Sequence, residues 1–214
     1  MNQPTAANVS ADTKSFADNK MLSRKDGRVG YVIYNNVEKH NAVSLDMWDA
    51  FVGILKDYEK DPEVRCVVVS GAGGKAFVSG ADISKFESER ANAEAQVRYD
   101  AISKEGYESL YNFPKPTIAK ITGYCIGGGM NLAACCDMRF CNEGARFGVP
   151  AAKLGLGYGF LRIERLSRIV GLPRAIRHAM PLDELYVDLQ AVQNHRRDSL
   201  LGSAKQAADD PDLR

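Results

Sequence analysis

Along the chain, apolar residues fall into short runs separated by glycine, proline and acidic residues, and the spacing inside each run sets the element it predicts. Met21 to Lys25 and Val29 to Tyr34 are β-leaning runs joined by Asp26-Gly27, a dipeptide favoured in tight hairpin turns. Ser44 precedes a stretch in which Leu45, Trp48, Val52 and Leu55 share one helical face, with Asp46 and Asp49 near the favourable end of the helix dipole. Asp61-Pro62 ends that helix. Cys66 to Val69 is continuously apolar with three β-branched residues, the pattern of a strand buried on both faces, and Gly71, Gly73 and Gly74 interrupt it. Ala91 to Asn112 predicts a long helix, Thr117 to Thr122 a strand, Gly127-Gly128-Gly129 the start of a short apolar helix through Cys135, and Asp137 to Cys141 a further strand. Ile163, Leu166 and Val170 mark another amphipathic helix. Interleaved strands and helices of this kind predict an α/β fold with a largely parallel sheet, since parallel strands need crossover connections usually made by helices.

Composition narrows the partners. The 214 residues are 45% hydrophobic and carry 28 Lys and Arg against 27 Asp and Glu, a net charge of +1 that gives no field for steering nucleic acid or anionic membrane. Five cysteines without a CxxC pair fit neither a disulfide framework nor a zinc knuckle, so reduced thiols and an intracellular setting are expected. The first twenty residues lack the basic start and apolar run of a signal peptide, and no stretch has the length of an apolar membrane span. The expectation is a cytoplasmic protein with a polar tail at 1–20, a single folded core at 21–180 and an atypical end at 181–214.

Several familiar constellations fail on spacing. The glycine loop before Lys75 has Val69 where a phosphate loop needs glycine, and Ala76 follows the lysine where Ser or Thr would hold Mg²⁺. No GxGxxG follows a strand, no GxSxG surrounds a serine, and His40, His178 and His195 are scattered, so no dinucleotide, nucleophile-elbow or metal site is predicted. Two glycine-bearing junctions remain, Phe77 to Ile83 and Gly123 to Asn131. Each precedes a predicted helix, where free N–H groups could stabilise an oxygen gaining negative charge; the same glycines could also serve only tight turns and close packing.

The segments KHNAVS (Lys39 to Ser44), KAFVSGADI (Lys75 to Ile83), KPTIAKITGYCIGGGMNLAACCDMRF (Lys115 to Phe140) and ARFGVPAAKLGLGYG (Ala145 to Gly159) resemble, in order and separation, the crotonase or enoyl-CoA hydratase/isomerase superfamily, and a bacterial hydratase-like subgroup within it. The resemblance implies a spiral of repeated ββα units with a helical C-terminal end, here shortened. It also implies a homo-oligomer, a trimer or dimer of trimers, and a pocket for an acyl-CoA thioester. CoA arrives as part of the substrate, so no separate cofactor and no metal are expected. By position, the thioester oxygen would lie between the backbone N–H groups of Ala81 and Gly128. Asp82, Ile83 and Ser84 would line the thioester and pantetheine, and Lys39, His40 and Ala42 the nucleotide end of CoA. Capping of a helix start is the plainer role for Asp82 itself.

The two glutamates of the family's hydratases are replaced by Asn131 and Ala151. Water addition needs a group to activate water and protonate the α-carbon; an amide does not usefully titrate and a methyl cannot act. Asn131 could still orient a water or a polar substrate group. Tyr124, Tyr158 and Glu143 are the candidate substitute acids; a hydratase-like addition using an unrecognised base, isomerisation and decarboxylation are the candidate reactions, and an acyl-CoA-binding pseudoenzyme or assembly subunit is the alternative.

Overall fold

The computed structural model describes residues 13–85, 89, 91–151 and 157–179. A six-stranded sheet runs in the order β1 (Lys14–Phe16), β2 (Met21–Asp26), β3 (Val29–Tyr34), β4 (Cys66–Gly71), β6 (Thr117–Ile121), β8 (Met138–Cys141). The first three strands pair antiparallel and the rest parallel. Gly27, at φ +54°, makes the β2–β3 turn that the Asp-Gly dipeptide predicted. β1 falls inside the segment expected to be a tail: three residues without an apolar run become an edge strand because β2 offers them a ladder, Lys14 opposite Ser23 and Phe16 opposite Met21.

A second sheet, unforeseen as such, consists of β5 (Ala76–Val78), β7 (Tyr124–Ile126) and β9 (Arg146–Gly148), all parallel. Each of its strands follows a strand of the large sheet after a few residues, and a helix follows in turn: α2 (Ala93–Tyr111), α3 (Gly128–Cys135) and α4 (Phe160–Val170). This is the ββα repeat, wound so that in these three units the first strand joins one sheet and the second the other, whereas β2 and β3 before α1 both lie in the large sheet.

Helix α1 (Leu45–Lys60) begins at Ser44 and ends before Asp61-Pro62 as the sequence requires. Its buried face is wider than the predicted stripe, adding Met47, Phe51 and Ile54, because α1 packs on both the sheet and α2. Trp48 and Phe51 of α1 meet Tyr34, Val67, Val69, Phe77, Leu110, Ile121 and Leu132 in one core. Burying a side chain such as Phe51 contributes roughly 1.5–3 kcal/mol. A smaller cluster of Val149, Tyr158, Leu166 and Ala175 seats α4 and the next helix, α5 (Leu172–Ala179). The predicted C-terminal segment 181–214 lies outside the described residues.

Candidate functional site

Strand β5 continues into Ser79-Gly80-Ala81-Asp82, a strap held from outside by the chain before α1. Val43 N–H donates to Gly80 O at 2.8 Å, Asp82 N–H to Val43 O at 2.9 Å and Ser79 N–H to His40 O at 3.1 Å. These bonds leave Ala81 N–H without an acceptor among the described residues, although Ala81 bridges Val43. Across the strap, β7 leads through Gly127, at φ +54°, into α3, and Gly128 N–H also lacks an acceptor among the described residues. As a first-turn helix residue it has none to expect from its own helix.

Gly80 lies against this turn. A methyl group there would come 3.5 Å from Gly128 N and 3.4 Å from Ile126 O, and at φ +109° a side chain would be strained in any case. Gly129 sits still closer to β5, with Val78 O only 2.0 Å from where its Cβ would be. Glycine at 129 is what allows β5 and α3 to approach, and glycine at 80 gives the strap its backbone conformation, so that the two residues with unbonded N–H groups, Ala81 and Gly128, line one cavity.

That cavity, of about 450 Å³, is lined by Ser79 to Ala81 and Ile83, by Ile126 to Gly128, by Pro150 and Ala151, and by Gly157 to Gly159 with Arg162. One face of α2 closes it with Gln96, Tyr99, Asp100, Ser103 and Tyr107. Tyr158 donates its hydroxyl to Gly127 O at 3.0 Å and Tyr107 to Gly128 O at 3.3 Å, bracing the glycine turn from behind. Burial pushes both phenols above their ordinary range; the charge of Arg162 opposes this without overcoming it. Both hydroxyls are therefore held as protonated donors.

Asp82 is buried at 5% exposure and caps the short turn Ile83–Lys85, accepting from Ser84 N–H at 3.2 Å and Ser84 Oγ at 2.6 Å. Its other oxygen takes Lys39 Nζ at 2.9 Å, and Lys39 Nζ also lies 2.6 Å from Ser84 Oγ. Burial works against ionisation of this carboxyl, but the Lys39 ammonium and the Ser84 donors outweigh it and hold the group below its ordinary value. The capping role expected of Asp82 is what the structure shows. Lys39, His40, Ala42, Asp82 and Ser84 do not line the cavity; they buttress the strap, with Ser79 Oγ donating to Lys39 O at 3.2 Å. Ile83 does line it, and is 61% exposed.

The two glutamate-replacing positions part company. Ala151 faces the cavity, whereas Asn131 lies behind it at 1% exposure. The Asn131 amide is close enough to Tyr107 to favour the phenolate, yet neither Nδ2 nor Oδ1 closes a sound hydrogen bond. Of the substitute acids only Tyr158 lines the cavity. Tyr124 is half-exposed with its ring edge on His40, 6.0 Å between centroids, and Glu143 is exposed. Sequence reasoning missed Tyr107, Asp100 and Arg162. Gln96, Tyr99, Asp100, Ser103 and Tyr107 recur at spacings of three and four, one helical face carrying polar groups where apolar ones would suffice for packing, and that was the available signal.

No helix among the described residues is long and apolar enough to cross a membrane, and no cluster among them could hold a metal ion.

Residues 24–185 match the family model for enoyl-CoA hydratase/isomerase. The chain is 36% identical over 157 residues to a short-chain-enoyl-CoA hydratase of Clostridium acetobutylicum, covering 73% of this chain and 59% of that protein. It is 36% identical over 150 residues to the mitochondrial Delta(3,5)-Delta(2,4)-dienoyl-CoA isomerase of Mus musculus, covering 66% and 46%. Among solved structures, an enoyl-CoA hydratase from Bacillus anthracis superposes with a TM-score of 0.70 at 30% identity, covering 75% of this chain and 62% of that one. An enoyl-CoA hydratase/carnithine racemase from Magnetospirillum magneticum reaches 0.71 at 27%, covering 92% and 83%. The chain thus spans about half the length of the curated relatives it matches. Fold, motif order and these likenesses agree, and the chain belongs to the enoyl-CoA hydratase/isomerase family.

Proposed function

We propose that the protein acts on an acyl- or enoyl-CoA thioester, with the N–H groups of Ala81 and Gly128 donating to the thioester oxygen as it takes on enolate charge. The observation that carries this reading is the pair of unbonded N–H groups on Ala81 and Gly128, two residues that line one cavity, with Gly129 allowing the close approach of β5 and α3. Fixed donors of this kind cost no reorganisation when charge develops, and one of them is typically worth roughly 10² to 10³ in rate. Ile83, on the cavity wall, is placed to touch the thioester end, while Lys39, His40 and Ala42 shape the outer loop that would meet the nucleotide end. Ala81 and Gly128 contact the substrate through backbone in this reading, while Asp82 and Ser84 act indirectly, by stiffening the strap. A homotrimer or dimer of trimers belongs to the same reading and is checked by light scattering on the purified protein.

The reaction we favour is decarboxylation and not two-glutamate hydration; isomerisation would need a substitute acid to move the proton, and Tyr158 is the one that lines the cavity. Ala151 brings no titratable group to the cavity, and Asn131 is buried, not among the residues that line it, and carries an amide that does not titrate. In decarboxylation the C–C bond to a carboxylate breaks, its electron pair passes through Cα to the thioester oxygen, CO₂ leaves, and the electron pair returns to Cα as it takes a proton from water. No base is required to start it.

The test is mass spectrometry of trans-2-enoyl-CoA, 3-enoyl-CoA and a carboxyacyl-CoA after incubation with folded protein, with the ultraviolet absorbance of the conjugated 2-enoyl thioester followed for double-bond migration, which leaves the mass unchanged. Loss of CO₂ from the third, or migration of the double bond in the second, is the expected result. Addition of water to the first, above a protein-free control, overturns the exclusion of hydration. Tight binding of all three without product favours a thioester-binding subunit.

A further inference from the structure

Arg162 is a cation on the cavity wall whose charge is not matched by any acidic side chain among the described residues. Its guanidinium carbon lies 5.2 Å from the centroid of Tyr107 and 5.9 Å from that of Tyr158. None of the ion pairs among the described residues includes it, whereas Arg168 on the same helix pairs with Glu164. Asp100, the other charged residue lining the cavity, is exposed and accepts from Gln96 at 3.0 Å without reaching Arg162. Aromatic faces orient a guanidinium and attract its charge, but leave its five N–H donors open to a planar anion.

The two rings that orient Arg162 are the same two whose hydroxyls hold Gly127 O and Gly128 O. The cation is thereby tied to the turn that presents the Gly128 N–H, on the wall of a cavity that Lys39 does not line. We propose that Arg162 is a specificity-determining residue that recognises a carboxylate on the acyl chain, so that the substrate class is a carboxyacyl thioester. This rests on the acyl-thioester reading and deepens it. A guanidinium can grip a carboxylate through two parallel N–H bonds, which a neutral chain of the same length cannot supply.

The experiment compares binding of glutaryl-CoA, pentanoyl-CoA and free CoA to the wild type, Arg162→Lys and Arg162→Gln by titration calorimetry, with circular dichroism confirming the fold of each variant. Charge-assisted hydrogen bonds lead us to expect glutaryl-CoA to bind the wild type roughly 10- to 100-fold more tightly than pentanoyl-CoA. Arg162→Gln should abolish that ratio, the affinity for pentanoyl-CoA serving as each variant's own reference, and Arg162→Lys should retain part of it. Equal wild-type affinities for the two thioesters overturn the inference and leave the acyl-thioester reading standing. A loss in Arg162→Gln shared by all three compounds, free CoA included, means that the anion is a CoA phosphate and also overturns it. Binding of no thioester overturns both. The wild-type comparison needs no variant, so a misfolded substitution cannot shield the inference.

Discussion

Gly129→Ala tests the idea that glycine spacing sets the distance between strap and helix. The Cβ of an alanine at 129 would stand 2.0 Å from Val78 O, 2.8 Å from Val78 C and 2.9 Å from Val78 Cβ. Contacts of this kind essentially never fall below 3.0 Å, and the obstacle is mainly backbone, so α3 and β5 must part by about 1 Å. Overpacking a buried position costs typically about 1–3 kcal/mol, readable as a lowered urea midpoint at unchanged m-value. The same displacement moves the Gly128 N–H away from that of Ala81. A hydrogen bond near 2.9 Å stretched by about 1 Å is effectively lost, so turnover of whichever thioester reacts should fall by roughly 10² or more. Stability within about 0.5 kcal/mol of wild type together with full turnover would refute the reasoning, because neither the close approach nor the donor spacing would then matter.

Gly53→Ala is the matched control: Gly53 lies inside α1, exposed, with nothing within 4 Å of its added Cβ, and should stabilise the protein by about 0.5–1 kcal/mol in the same urea assay without altering turnover. Asn131→Leu removes a buried amide with two unpartnered polar atoms, and should be neutral or stabilising by about 1 kcal/mol; a clear loss of stability would show that the amide is satisfied after all. The lowered pKa of Asp82 adds stability that is present above its unfolded value near 4 and lost as pH falls below that through the folded pKa. Asp82→Asn should therefore flatten the acid limb of a thermal-stability profile below about pH 4, and an unchanged limb would mean that the Lys39 and Ser84 bonds do not hold the carboxylate in solution.

How much was legible from sequence follows from the range of the forces involved. The β2–β3 hairpin, α1, α2, β4 and β6 were readable because a turn dipeptide, a cap or an apolar period lies within a few residues of each element it defines. The motifs around Gly80 and Gly128 located two of the site's walls through their resemblance to a family. The small sheet was not readable: β5, β7 and β9 are three residues each, too short to show a period, and exist because residues such as Ala76 and Tyr124, or Tyr124 and Arg146, meet across the fold. β1 is an edge strand for the same reason.

The chain's own sequence thus determined the α/β alternation, the order of the repeats and the lack of a glutamate at positions 131 and 151, since these are properties of residue identity and local spacing. Tertiary structure alone decided that Asn131 is sealed behind the cavity while Ala151 faces it, that Lys39 is engaged by Asp82, and that Tyr107, Tyr158 and Arg162 surround the glycine turn. Each of those depends on segments tens of residues apart being packed at fixed distances, and packing of that kind leaves no period in the chain to read.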